Sequence, residues 1–154
     1  MFVIRPASWP HDASRVRGLF RAYADDLGVD LCFQGFEAEL AELPGKYAPP
    51  EGNLWLAEIE GRAVGCVAIR AHAPGVAEMK RLFVLNDARG HNLGRRLAET
   101  SLTGARAQGY TEIVLDTLDR LVAARHIYAK LQFIEVQAYN DNPLAGVVFL
   151  KRKL

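Results

Sequence analysis

Apolar residues recur at steps of three and four through "HDASRVRGLFRAYADDLG", where Val16, Leu19, Phe20, Tyr23 and Leu27 share one face and Gly28 follows as a stop signal. That spacing predicts an amphipathic helix. It is preceded by "FVIRPA", a short strand ended by Pro6, and followed by "FEAELAELPGKY", a shorter helix broken by Pro44 and Gly45. After the loop "APPEGN" the period changes. "NLWLAEIEGRAVGCVAIRA" carries two β-rich runs around "EIEGRA", with Gly61 as the turn residue of a hairpin, and "VAEMKRLFV" is a further strand.

Helical spacing returns in "LGRRLAETSLTGARAQG". Leu93, Leu97, Leu102 and Ala105 form its apolar face, with Gly94, Ala98 and Ser101 beside them and Gly109 closing it. "TEIVLDT" reads as a strand. "RLVAARHIYAKL" reads as a helix whose inward face holds Leu121, Ala124, Tyr128 and Leu131, and "FIEVQAY" and "GVVFLKRK" read as strands flanking the turn-rich "NDNPLAG". The predicted order, β-α-α-β-β-β-α-β-α-β-β, belongs to an α/β or α+β domain with a mixed sheet, and excludes a helical bundle or an all-β sandwich. A chain of 154 residues suits one domain, residues 1–154, with one sizeable core.

Half of the residues are apolar and the net charge is +1, so no global field recruits nucleic acid or an acidic membrane; any anion site must be local. Cys32 and Cys66 match no CxxC or zinc-ligand spacing and are expected to be reduced core thiols of a cytoplasmic protein, with no metal site. The opening "MFVIRPASWPHDASR" lacks a long apolar stretch, so neither a signal peptide nor a membrane anchor is expected.

The stretch "RLFVLNDARGHNLGRRLAE" places glycines, small polar residues and arginines where a strand hands over to a helix. Backbone N–H groups in the first turn of a helix have no intrahelical partner, and the helix dipole gathers about half a positive charge there. Arg89, Arg95 and Arg96 add cations at the end that prefers anions. Two readings follow: a phosphate or pyrophosphate held by the amides, or a glycine turn with solvated arginines. A P-loop would need GxxxxGK[ST] and a dinucleotide fingerprint GxGxxG, and the chain has neither.

"RGHNLG", after an amphipathic strand and before a helix, resembles the R/Q-x-x-G-x-G/A acyl-CoA signature of the GCN5-related N-acetyltransferase (GNAT) superfamily. Arg89 takes the first position and Gly94 the last, while Asn92 stands where the middle glycine usually does. Asparagine tolerates positive φ better than most residues. The stretch "LFVLNDARGHNLGRRLAETSLTGARAQGYTEIVLDT" followed by "AARHIYAKLQF" is similar to that superfamily's strand–loop–helix–strand–helix core, and the element order extends the likeness over the whole chain. Two further departures are Gln132, in "LQF" where "LGF" is common, and Leu121, where many relatives carry asparagine.

The resemblance implies a single GNAT-type domain that transfers an acetyl group from acetyl-CoA directly to a primary amine of a small molecule or peptide, without a covalent enzyme intermediate. It implies cofactor contacts from Leu82, Phe83 and Val84 on a splayed strand and from Arg89, Gly90, His91, Asn92, Leu93, Gly94 and Arg95 in the loop and first helical turn. Tyr128 becomes the acid toward the CoA thiolate, and Glu78 the base for the amine, directly or through water. His72 and His126 are alternative bases. Thiols titrate near ~8.5 and tyrosine near ~10, so proton donation from a tyrosine to a thiolate is uphill by roughly 2 kcal/mol and the help is modest. The acceptor walls are Phe33 and Gln34 between the first two helices, and Tyr139, Asn140 and Asn142 between the last two strands. Relatives are often homodimers. The alternative function is a non-catalytic acyl-CoA-binding or sensor module of the same fold. Nucleic-acid binding through "ARGHNLGRR" is disfavoured by the low net charge and the lack of interleaved aromatics.

Overall fold

The computed structural model describes the backbone of residues 1–154 and every side chain except that of Phe33, so this candidate acceptor wall lies outside the described residues. Seven strands and four α-helices alternate as β1 (Phe2–Pro6), α1 (Ala13–Leu27), α2 (Phe36–Ala41), β2 (Asn53–Ile59), β3 (Arg62–Ala73), β4 (Val76–Val84), α3 (Leu93–Ala107), β5 (Glu112–Leu118), α4 (Val122–Lys130), β6 (Ile134–Val136) and β7 (Val147–Lys153). This is the predicted mixed α/β order. Gly28 ends α1 with a left-handed φ of 69°, its N–H reaching back to the carbonyls of Ala24 and Asp25. The β2–β3 turn uses Glu60 and Gly61, both at positive φ, the geometry that matches strand twist in a two-residue hairpin.

One sheet runs β1-β2-β3-β4-β5-β7-β6. Every neighbouring pair is antiparallel except β4–β5, which α3 joins as a crossover. Both faces are covered. On one, α3 and α4 pack Leu93, Leu97, Leu102, Tyr128 and Leu131 against Val67, Ile69, Met79, Ile113 and Leu115. On the other, α1 and α2 pack Val16, Phe20, Phe36 and Leu40 against Leu54, Leu56, Ala68 and Phe83. Buried on both faces, β3 reads as the unbroken apolar run "VGCVAI" rather than an alternation. Gly104 of α3 lets the helix lie directly on Trp55 of β2: a β-carbon there would overlap the indole ring.

Two irregularities in β4 shape everything that follows. Cys66 pairs with Phe83 but Ala68 with Lys80, so β4 carries an extra residue, and Arg81 sits in that bulge at φ 61°. The bulge turns Arg81 into the α1–α2 layer. There its Nε and Nη2 donate to the two oxygens of Glu39, both at 3.0 Å, among the rings of Phe20, Tyr23 and Phe36. The second irregularity is a split. β4 and β5 pair only at Val76↔Glu112, Ala77↔Ile113 and Glu78↔Val114, after which β5 continues with β7 alone.

Two expectations are corrected. "FIEVQAY" is a strand only over Ile134–Val136. Beyond it the chain folds over the sheet, because the Tyr139 hydroxyl donates to Glu78 at 2.6 Å and its ring packs edge-on against His72 and Phe149. Cys32 is exposed, in the short turn between α1 and α2, rather than in the core. Cys66 is buried, and burial pushes its thiol up to about 12. No helix is long and apolar enough to cross a membrane. Among the described residues no three His, Cys, Asp or Glu side chains are placed to hold a metal ion.

Candidate active site

Between β4 and α3 the chain makes a short turn at Asn86–Ala88, then passes Gly90 at φ 94° and Asn92 at φ 58° before entering the helix. Asn92 thus takes the left-handed conformation that its position in the loop demands. The N–H groups from Gly90 to Arg95 donate to no backbone carbonyl, and the first helical bond of α3 is Arg96 N–H to Asn92 C=O. All residues from Gly90 to Arg95 but His91 border a cleft whose walls include Leu82, Phe83 and Val84 of β4, then Arg89, Gly90 and Asn92 of the loop, then Leu93, Gly94 and Arg95 of α3. His91 is not on this wall; it is exposed and leans toward Phe2. Gly94 lets α3 approach α4 closely, since a β-carbon would come within 3.1 Å of Ile127 Cδ1.

The arginines are held rather than loose. Arg89 Nε donates to Val84 C=O at 3.1 Å and its Nη2 lies 3.5 Å from Asp26, while the guanidinium sits over Phe83. Arg95 pairs with Glu99 one turn on, and Arg96 covers the ring of Phe2 at 4.4 Å. Of the three, Arg89 and Arg95 border the cleft and Arg96 faces away. The opposite wall brings a cation that sequence reading missed: Arg120, fixed by donating to Leu27 C=O at the end of α1.

Where β4 and β5 part, the cleft continues inward past Met79, Lys80 and Leu82 on one strand and Asp116 and Leu118 on the other. Tyr128 from α4 closes this inner end. It is 6% exposed and its ring rests edge-on against Phe133. Burial, with a smaller push from Tyr23 and Asp116, raises its hydroxyl well above the ordinary tyrosine range. The phenol therefore stays neutral at physiological pH and is a donor. Lys80 and Asp116 face each other here with Nζ and Oδ1 3.7 Å apart, both side chains less than a tenth exposed. Burial lowers the Lys80 ammonium against the pull of Asp116. For Asp116 burial opposes ionisation, but Lys80 and the amides of Asn140 and Asn142 outweigh it and hold the carboxylate below its usual range.

Glu78 is 2% exposed and opens directly on neither part of this cleft. Its Oε1 accepts from Arg70 Nε at 2.9 Å and its Oε2 from the Tyr139 hydroxyl at 2.6 Å. The candidate acceptor loop converges on the same face. Asn140 and Asn142 donate to Asp116 Oδ2 at 3.0 and 3.1 Å, and Asn142 reaches the inner cleft. Gln34 lines it from the opposite side. His72 packs on Tyr139, and His126 is exposed on α4, away from Tyr128. Lys80, Asp116 and Arg70 were not singled out from the sequence, and Tyr23 only as part of the apolar face of α1. Their roles arise from contacts between distant segments; the alternation of "EMK" in β4, which sets Glu78 and Lys80 on one face, was the available signal.

The free amides, the flanking arginines and the unpaired inner edge of β4 suit a ligand with a phosphate end and an extended amide-bearing arm, which is the chemistry of acetyl-CoA. Comparison with known proteins agrees. The model of the acetyltransferase (GNAT) family matches residues 16–133. The chain is 37% identical over 147 residues to an uncharacterized N-acetyltransferase of Schizosaccharomyces pombe, covering 94% of this chain and 90% of that one. In fold it matches an acetyltransferase of the GNAT family from Staphylococcus aureus with a TM-score of 0.81 at 18% identity, over 99% of both chains. It also matches a Salmonella typhimurium protein solved with its cofactor acetyl-CoA, with a TM-score of 0.69 at 18% identity, over 99% of this chain and 93% of that one. The chain belongs to the acetyltransferase (GNAT) family, as an acetyl-CoA-dependent N-acetyltransferase.

Proposed function

We propose that residues 1–154 act as one catalytic domain in the cytoplasm, moving an acetyl group directly to a primary amine of a small molecule or peptide. The observation that supports this most is the continuity of the cleft. It runs from partnerless amides at the α3 N-terminus, along the unpaired part of β4, to the neutral hydroxyl of Tyr128. When bound, acetyl-CoA supplies the acetyl thioester. The amides of Gly90 and of Asn92 to Arg95, with the side chains of Arg89 and Arg95, would hold its phosphate charge. Main-chain groups of β4 around Leu82 to Val84 would orient the arm and stabilise negative charge at the acetyl oxygen. Tyr128 would offer its hydroxyl as a hydrogen-bond donor at the sulfur.

Glu78 takes the amine proton through water, because Arg70 and Tyr139 cover the carboxylate yet occupy only part of its acceptor capacity. Glu78→Gln should lower kcat/KM about tenfold at neutral pH. The deficit should shrink as pH rises toward the acceptor's own pKa and free amine becomes abundant. A pH-independent deficit would assign Glu78 to holding Arg70 and Tyr139 instead.

The reading as a whole is tested by calorimetric titration with acetyl-CoA. Saturable micromolar binding is expected, with Arg89→Ala raising Kd about tenfold through the loss of a charge-assisted contact to phosphate. Absence of binding at millimolar acetyl-CoA would end it.

A further inference from the structure

Beside the inner cleft, under α2, lies a second recess that shares Gln34 with it. Its floor is Tyr47, in the short turn Gly45–Tyr47, and Arg70 of β3; Gln34 and Glu39 form one side. Two buried polar atoms in it lack any protein partner: the Tyr47 hydroxyl and Gln34 Oε1. Tyr47 is 2% exposed, with its ring packed edge-on against Phe20, so the hydroxyl is fixed in place. An unsatisfied buried polar group costs about 1–3 kcal/mol and calls for a ligand or water to complete it.

The chemistry of the missing partner follows from the groups present. Arg70 uses Nε on Glu78 and leaves its two terminal nitrogens without a protein acceptor. Together with the Tyr47 hydroxyl they make a donor set suited to a planar anion. Glu39 lies close enough to act on the Tyr47 hydroxyl, but Arg81 donates to both its oxygens and offsets its charge. Gln34 Oε1, by contrast, can only accept, and an amine N–H is one donor that would complete it. Gln34 is also the residue this recess shares with the inner cleft that Tyr128 closes. A ligand spanning the two therefore needs an acceptor group at one end and an amine at the other. The charged residues that line the recess, Arg70 and Lys46 against Glu39 and Glu42, sum to zero, which suits a ligand that is itself neutral overall.

We propose that the acceptor is a small amino acid whose carboxylate is held by Arg70 and Tyr47 and whose amine passes Gln34 to reach the β4–β5 split. This rests on the acetyltransferase reading above and names its substrate class. Burial keeps the Tyr47 hydroxyl protonated far above neutral pH, so it donates throughout the working range.

The test is a turnover assay with acetyl-CoA against the common amino acids, each paired with its carboxamide and with the amine lacking the carboxyl group. Acetylation of at least one amino acid with kcat/KM ten or more times that of its carboxamide is expected. Tyr47→Phe, which keeps the ring and its packing, should raise KM for that amino acid about tenfold while leaving the acetyl-CoA Kd in calorimetry where it was. Equal use of amino acid and carboxamide overturns the proposal, as does preference for the amine without a carboxyl group or turnover of no amino acid at all. So does an unaltered KM in Tyr47→Phe. Each of these can occur with acetyl-CoA binding intact, whereas loss of acetyl-CoA binding itself would instead remove the underlying reading.

Discussion

Tyr128→Phe should lower kcat about 10²-fold while leaving the thermal midpoint nearly unchanged. The ring supplies the packing against Phe133 and the α3–α4 layer, and phenylalanine keeps it. What disappears is one donor in a desolvated site, and removal of such a donor typically costs on the order of 10²–10³ in rate. The raised pKa of Tyr128 sharpens the assignment. A phenol pushed upward is a poorer acid, so full proton transfer to a thiolate near ~8.5 becomes still less favourable than for free tyrosine. The hydroxyl therefore acts chiefly as a hydrogen-bond donor to the leaving sulfur. It remains protonated across the range in which the enzyme is assayed and contributes no basic limb to the kcat–pH profile. Steady-state kinetics of the variant checks this, and a fully active Tyr128→Phe enzyme would remove the residue from the mechanism.

Arg81→Met should be the most destabilising of the substitutions considered, by about 3–5 kcal/mol, because it strands a carboxylate against the sheet. Arg81 is 3% exposed, and both donor contacts go to Glu39. A loss of this size is a third or more of the stability of a typical domain, and for a chain of this length it corresponds to a fall in midpoint of roughly 10 °C. Adding Glu39→Gln to the same chain should restore a good part, since the stranded charge, rather than the missing attraction, is the main cost. Denaturant unfolding of wild type, both single variants and the double variant measures the coupling directly. If the double variant is no more stable than Arg81→Met alone, the pair is not what holds α2 to the sheet.

The order of elements was legible because it rests on local periodicity. The step-of-three-and-four face of α1, the stop at Gly28, the hairpin around Gly61 and the full span of β4 need no knowledge of distant contacts. The loop before α3 was equally readable, since glycines, Asn92 and arginines at a strand–helix junction have few other uses, and the structure brings most of them to one cleft. What could not be read depends on pairing across the chain. Arg81 looks like an ordinary strand residue until the unequal register against β3 reveals the bulge. Arg70, Tyr47 and Gln34 lie up to 36 positions apart in sequence and meet only because α2 folds back across the sheet. Tyr139 was expected where the end of a strand meets the acceptor loop. Its hydrogen bond to Glu78 and its stacking with His72, both long-range, pull it out of the strand.

The parting of β4 and β5 has a mechanical consequence. By strand order the molecule has one sheet, yet its two halves, β1–β4 and β5–β7, are stitched along the main chain at only three residue pairs. The rest of the seam is held by side chains: Val67, Ile69 and Met79 from one half meet Ile113, Leu115 and Leu150 from the other beneath α3 and α4, and Lys80–Asp116 and Tyr139–Glu78 bridge it. Such a joint resists pulling apart through close packing, which is stiff in compression and yields readily to small shear. The gap that admits a ligand is thus also the line where the main chain joins the two halves least. A molecule seated in it acts as mortar between two blocks that the backbone alone leaves half joined.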